Sequence, residues 1–237
     1  MPVWRSGVMS SVVLLCAAVA AARADSRQDC TQDNDHDLAI RGCTEFVRID
    51  PGAAWAYFNR GISHRAKGDI ELALADYTKA IELNPKVADY YNNRGNVYRV
   101  RREIERAIAD FNQAISLDPK VALYHNNRGV AHRAKGDNHR AITDFTRALA
   151  LDPKNARSYY NRGNAYDSKG EHDRAIADYT KAIEIEPNDA DYYNNRGTTY
   201  QAKGKKDMAI ADYRKALSID GTSQAARTNL RRLGVKP

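Results

Sequence analysis

The stretch NRGISHRAKGDIELALADYTKAIELNP, residues 59–85, decides the fold, because its landmarks return along the chain at one constant interval, that from Asn59 to Asn93, without a slip. The triplet Asn59-Arg60-Gly61 comes back as Asn93-Arg94-Gly95, Asn127-Arg128-Gly129, Asn161-Arg162-Gly163 and Asn195-Arg196-Gly197, and a proline keeps the same period at Pro51, Pro85, Pro119, Pro153 and Pro187. A fixed period of this length is the mark of a tandem repeat in which each unit is one supersecondary element. Apolar and small residues inside the unit fall at helical spacing, as in Ala73, Tyr77, Ala80 and Ile81. The spacing predicts a first helix from Ala54 to Lys67, a turn at Gly68-Asp69 and a second helix to Leu83, stopped by Pro85. Gly68, Gly136, Gly170 and Gly204 stand where a left-handed helix cap is wanted, and Arg102 takes that place in the second unit.

Small residues recur where helices must approach: Gly61, Gly95, Gly129, Gly163 and Gly197 on the first helix, Ala73, Ala107, Ala141, Ala175 and Ala209 on the second. Aromatic residues alternate with them, at Tyr57, Tyr91, Tyr159 and Tyr193 and at Tyr77, Phe111, Phe145, Tyr179 and Tyr213, as knobs for those holes. This combination of Gly, Tyr, Ala, aromatic, Ala and Pro resembles the tetratricopeptide repeat. The resemblance implies an all-α, right-handed superhelical solenoid of antiparallel helix pairs, with repeats at 54–87, 88–121, 122–155, 156–189 and 190–223. Residues 25–53 resemble a half-repeat, with Leu38 to Pro51 as an isolated second helix, and 224–237 form a capping helix and tail striped by Ala226, Leu230 and Leu233.

The opening segment, Met1 to Ala24, differs in kind. Arg5, an apolar run from Val8 to Ala20, and Ala22 and Ala24 around Arg23 describe a secretory signal peptide cut after Ala24. The run is too short for a membrane span, and Leu14 and Leu15 before Cys16 do not suit a lipoprotein signal. The expected location is periplasmic, with secretion as the alternative, and no stable membrane insertion follows cleavage. Losing Arg5 and Arg23 lowers the formal charge from +7 to +5, and the remaining charges alternate in sign rather than cluster, which argues against nucleic acid as a partner. The two cysteines left, Cys30 and Cys43, form a disulfide in an exported chain; the other reading is two separate small core residues.

One departure from the family pattern is systematic. Arg60, Arg94, Arg128, Arg162 and Arg196 stand where an apolar residue is usual, and a half-buried guanidinium needs a partner. Asp76, Asp110, Asp144, Asp178 and Asp212, in phase with them on the antiparallel second helix, are expected to supply it, one bridge per repeat; a row of ligand-binding arginines is the alternative. No nucleophile elbow, phosphate loop, paired metal ligands or Cys-x-x-Cys occurs, so neither catalytic residues nor cofactors nor a metal are expected. His64 and His132 replace the Tyr of sister units (Tyr98, Tyr166, Tyr200), and His125 shares one helix face with His132; core substitution explains them better than zinc.

Asn59, Asn93, Asn127, Asn161 and Asn195 remain in phase with no evident packing role. The resemblance places them on the concave side of the superhelix, similar to the asparagine ladder in the tetratricopeptide region of O-linked N-acetylglucosamine transferases, and implies a grip on the backbone of an extended peptide. Arg65, Arg99 and Arg133 follow on the same helices, with Asp167 and Gln201 in phase after them, so an acidic segment is expected over the first three repeats. The carboxylate clamp of some family members is incomplete: Asn96, Asn127 and Arg157 match it, but Asn92 and Asn161 stand where cations are required. The reading is a non-enzymatic scaffold for a protein or extended peptide. Its alternatives are an envelope glycan-binding protein using Tyr90, Tyr124, Tyr160 and Tyr192 as exposed stacking platforms and, last, a hydrolase of the Cys-rich helical-repeat kind.

Overall fold

The computed structural model describes residues 24–32 and 34–237; the expected signal segment and Cys16 lie outside them, except for Ala24, which opens a helical segment at 24–30. Among the described residues there is helix and no strand. The chain divides into two compact units, one ending at Glu103 and one beginning at Ile104. In the first unit the helical segment is followed by α1 (His36–Ile49), α2 (Ala54–Lys67), α3 (Ile70–Leu83) and α4 (Ala88–Val100). The second holds α5 (Ile104–Leu117), α6 (Ala122–Ala134), α7 (Asn138–Leu151), α8 (Ala156–Ser168), α9 (His172–Ile185), α10 (Ala190–Ala202), α11 (Lys206–Ile219) and α12 (Gln224–Arg232).

Each hairpin turns in the same way. Gly68 ends α2 at φ +87°, and the Asp69 N–H donates back to the His64 carbonyl at 2.9 Å, closing the last turn as a Schellman-type cap. Bonds of the same 2.9 Å length run from Asp137 to His132, from Glu171 to Tyr166 and from Lys205 to Tyr200. Arg102, at φ +62°, adopts the same left-handed conformation, and Glu103 makes the same bond to Tyr98. The motif therefore persists where a side chain makes it unfavourable.

Hairpins close through glycine against ring. A Cβ added to Gly163 would stand 2.8 Å from the Tyr179 ring, and one added to Gly129 would stand 2.7 Å from Phe145. Tyr77, Phe111, Phe145, Tyr179 and Tyr213 are almost wholly buried, as are the alanines one turn away on the same helices. Removing such rings from water is the main favourable term of each repeat. Successive hairpins meet through a second set of rings, Tyr90 on Phe58 at 4.7 Å in the first unit and Tyr192 on Tyr160 at 5.0 Å in the second. This corrects the expectation of exposed stacking platforms: Tyr90, Tyr124 and Tyr192 are buried and Tyr160 is half-buried, and at Tyr90 and Tyr192 a neighbouring hairpin of the same unit covers the face that looks open on a single helix.

The N-terminal element is more than an isolated second helix. The segment 24–30 packs on α1 closely enough that a Cβ on Gly42 would fall 2.5 Å from Asp29 Cβ, and a Cys30–Cys43 disulfide joins the two. Closing a loop of this size stabilises by about 3 kcal/mol in the chain-entropy model. Phe46 and Trp55 continue the core into the first full hairpin, with ring centres 4.7 Å apart. At the other end Ala226 and Leu230 of α12 are fully buried against α10 and α11 while Arg231 and Arg232 face water, which makes α12 a solubilising cap.

Candidate functional site

Two faces of the first helices carry in-phase polar residues. On the first, the amide face, Asn59 donates to the Cys30 carbonyl at 3.4 Å and Asn93 to the Asp89 carbonyl of its own helix at 2.9 Å. In the second unit the amides link one hairpin to the next: Asn161 Nδ2 donates to Asn126 Oδ1 at 3.1 Å, and Asn195 Nδ2 donates to Asn164 Oδ1 at 2.9 Å and to the Tyr160 hydroxyl at 3.0 Å. Asn127 is half-buried on the same face. The expectation that these amides lack a packing role is thus corrected at Asn161, which is buried, and at Asn195. The face also reaches one position further than the sequence reading took it. Asn229, one full period beyond Asn195, donates to Asn194 Oδ1 at 3.1 Å, and extending the period into the cap would have found it.

The second face carries the arginine row. Arg60 grips Asp76 with both ends of its fork, Nε to Oδ2 at 2.9 Å and Nη2 to Oδ1 at 2.7 Å. Arg128–Asp144, Arg162–Asp178 and Arg196–Asp212 repeat the geometry with every bond between 2.6 and 2.9 Å. Arg94 belongs to the first unit and the buried Asp110 to the second. The Asp carboxylates are buried and the guanidiniums half-buried, so each two-pronged, charge-assisted pair holds its two helices in fixed register. The carboxylate beside each of Arg60, Arg162 and Arg196 raises that guanidinium's pKa further.

The third nitrogen of each fork reaches back to the preceding second helix, to Thr44, Thr78, Asn112, Thr146 and Thr180 at 2.8 to 3.4 Å. Those five positions were not read from the sequence, although they too keep the period of the repeat. Rings flank the same guanidiniums: Tyr159 and Tyr166 lie 5.7 and 5.9 Å from Arg162, and Tyr193 and Tyr200 lie 5.7 and 5.9 Å from Arg196. Arg128 instead has His125 and His132 in those places, both buried.

One turn beyond the amides the in-phase side chains diverge. Arg65 is exposed near the buried Tyr77 hydroxyl, which has no hydrogen-bond partner and whose pKa burial pushes up to about 12. Arg99 is half-buried. Arg133 lies close enough to Tyr160 and Tyr179 for its charge to act on both phenols, and its Nε is buried without an acceptor. Asp167 is occupied by Thr199 Oγ1 at 2.9 Å and His172 Nδ1 at 3.0 Å, and Gln201 accepts from the Tyr213 hydroxyl at 2.9 Å.

The tetratricopeptide repeat model matches residues 54–87, 88–121, 156–189 and 190–223, together more than half of the chain, and a second model of the same repeat matches 131–170. The chain belongs to the tetratricopeptide repeat family. The crystal structure of MamA is 32% identical, with 68% of this chain and 94% of that one aligned at a TM-score of 0.63. Two further structures show the likeness of fold. YrrB, described as a tetratricopeptide protein with an unusual peptide-binding site, is 24% identical over 81% of this chain and all of that one (TM-score 0.65). PilF of Pseudomonas aeruginosa is 17% identical over 91% and 99% (TM-score 0.77). No curated protein sequence matches the chain. Tetratricopeptide repeats are protein- and peptide-binding modules, and membership supports an interaction scaffold. Among the described residues no helix is long and apolar enough to cross a membrane, and no cluster of three or more His, Cys, Asp or Glu is placed to hold a metal.

Proposed function

We propose that this tetratricopeptide protein is an exported, non-enzymatic scaffold that holds an extended protein segment along the amide face of its first helices. One observation carries the reading: Asn59, Asn93, Asn127, Asn161, Asn195 and Asn229 repeat in register on helices whose other in-phase polar residues, the Arg–Asp pairs, are spent on holding hairpins together. An amide that uses one N–H for the fold keeps a second N–H and a carbonyl for a peptide backbone, whatever the peptide's side chains. Asn93, with a single bond to its own helix, has that capacity; Asn161 and Asn195 act mainly by keeping neighbouring hairpins at a fixed spacing.

Arg65, Arg99 and Arg133 bias the same surface toward acidic segments. Arg65 is exposed, and Arg99 and Arg133 are half-buried, so all three present charge to that surface. The segment is held along its length rather than by its terminus, because the carboxylate clamp lacks two of its cations at Asn92 and Asn161, and both side chains are buried.

The Cys30–Cys43 disulfide fits an oxidising compartment and supports a periplasmic location. N-terminal sequencing of envelope material beginning at Asp25 checks the export reading. For the groove, crosslinked capture from the envelope fraction is compared between the wild type and an Asn93→Ala/Asn127→Ala variant of equal helicity and melting temperature. Partners lost from the variant support the amide face; equal capture contradicts it.

A further inference from the structure

A cavity of about 290 Å³ in the first unit has Thr31, just after the N-terminal helical segment, His36 of α1, and Asn59 and Ser63 of α2 among the residues that line it. Two of these carry a polar atom that the fold does not use. Ser63 is 3% exposed, and its hydroxyl makes no hydrogen bond among the described residues; His36 Nδ1 is buried and has no partner either. Buried polar atoms are almost always paired, so two unpaired ones on the wall of one cavity point to a ligand group that satisfies both.

The far end of the chain shows what that group is. Four periods on, Thr199 stands for Ser63, His172 for His36 and Asp167 for Thr31. There the Asp167 carboxylate accepts from Thr199 Oγ1 at 2.9 Å and from His172 Nδ1 at 3.0 Å, both on the same oxygen. In the first unit the same two donors stand without the acid. The helical segment ends at Cys30, so Thr31 lies outside it, and the Thr31 hydroxyl turns back to donate to the Gln28 carbonyl at 2.9 Å. At the periods between, the places of the two donors hold Val97 and Ile70, Ala131 and Ile104, and Ala165 and Asn138, so the hydroxyl and imidazole occur together only at the two ends.

We propose that this cavity receives the side-chain carboxylate of an acidic residue in the bound partner segment, held by Ser63 Oγ–H and His36 Nδ1–H as Asp167 is held by Thr199 and His172. A hydrogen bond to an ionised carboxylate is stronger than one between neutral groups, and one carboxylate oxygen can serve both donors at once. Asn59, whose Nδ2 donates to the Cys30 carbonyl, keeps a second N–H on the same wall. The proposal rests on the amide-face reading for the identity of the partner, since Asn59 belongs to both. The cavity itself is tested with a probe of a single residue, which does not need the other amides, so either assignment can fail alone.

The test is a titration of the full mature chain, disulfide intact, with N-acetyl-aspartic acid α-amide, followed by the imidazole resonances of His36 and His172. N-acetyl-asparaginamide, N-acetylalanine and inorganic phosphate serve as separate probes: the first has no charge, the second carries only a terminal carboxylate, and the third is a different anion. A saturable shift is expected at His36 with the aspartate probe, and none at His172, whose acid is already in place. Ser63→Ala removes one donor and is expected to weaken binding about tenfold, while Ser63→Thr, which keeps the hydroxyl that Thr199 carries, is expected to retain it. Thr31→Asp supplies the acid from the chain itself and is expected to abolish binding while moving the free His36 resonance toward its ligand-saturated position. No saturable shift at His36, or binding of any of the other three probes as tight as that of the aspartate probe, would overturn the proposal. A poorly folded Thr31→Asp leaves the two Ser63 variants to decide, where equal affinity in Ser63→Ala and the wild type counts against it.

Discussion

Repeats three and four are built on the same frame and differ at its surface. In repeat four Arg162 lies between two tyrosine rings and the Tyr179 hydroxyl donates to Asn164 at 2.8 Å; in repeat three Arg128 faces two histidines, and the ring at the corresponding place is Phe145, which has no hydroxyl. Both keep the glycine against the ring and the two-pronged Arg–Asp grip. What stays constant is what sets hairpin geometry. What varies is the set of side chains around the arginine, which is 24% exposed in repeat three and 18% exposed in repeat four.

The largest expected effect is at the grip. Asp178→Ala leaves a half-buried guanidinium without its carboxylate and should cost about 3 kcal/mol, read as a lowered urea midpoint. Asp144→Ala should cost less, because the Arg128 side chain is 24% exposed against 18% for Arg162 and reaches water more easily. A larger loss at 144 would break the comparison. Next comes the glycine: Gly163→Ala pushes a methyl into the Tyr179 ring and should cost about 2 kcal/mol, and Gly129→Ala should match it within error if the frame is shared. Calorimetry on both checks this, with a gap of more than half the effect counting against a common frame.

Smaller and of opposite sign, His132→Tyr should restore the stacking found in repeat four and stabilise by about 1 kcal/mol, seen as a raised melting temperature. A loss would mean that the buried place of His132 does not accept a phenol ring as the corresponding place in repeat four does. Smallest of all, Tyr179→Phe removes one donor from Asn164, which still accepts from Asn195, and should cost at most about 1 kcal/mol. Tyr77→Phe should cost nothing, since that buried hydroxyl has no partner. Equal costs at 77 and 179 would contradict the bond assignments.

How much of this was legible in the sequence follows from where the information lies. Helix bounds, the Gly68-type turns and the Arg60-to-Asp76 spacing belong to one hairpin, and a single period displays them. The burial of Tyr90 and Tyr192, the bonds of Asn161 and Asn195, and the service of Thr146 and Thr180 to the next arginine are contacts between hairpins. Helical periodicity reports which face of a helix is apolar but not which neighbour covers it, so Tyr90 read as exposed. Arg102 shows the converse: a side chain at a left-handed position looks like a broken turn, yet the surrounding bonds hold the turn intact.

The central claim, that the arginine face holds the hairpins while the amide face meets the partner, is tested most directly by site-specific photocrosslinking in the envelope. A photoreactive residue at Thr198, exposed on the amide face one turn past Asn194, is compared with one at Lys181, exposed on α9. The account predicts a discrete crosslinked partner from position 198 and none from 181. Crosslinking from 181 with silence at 198 would contradict it.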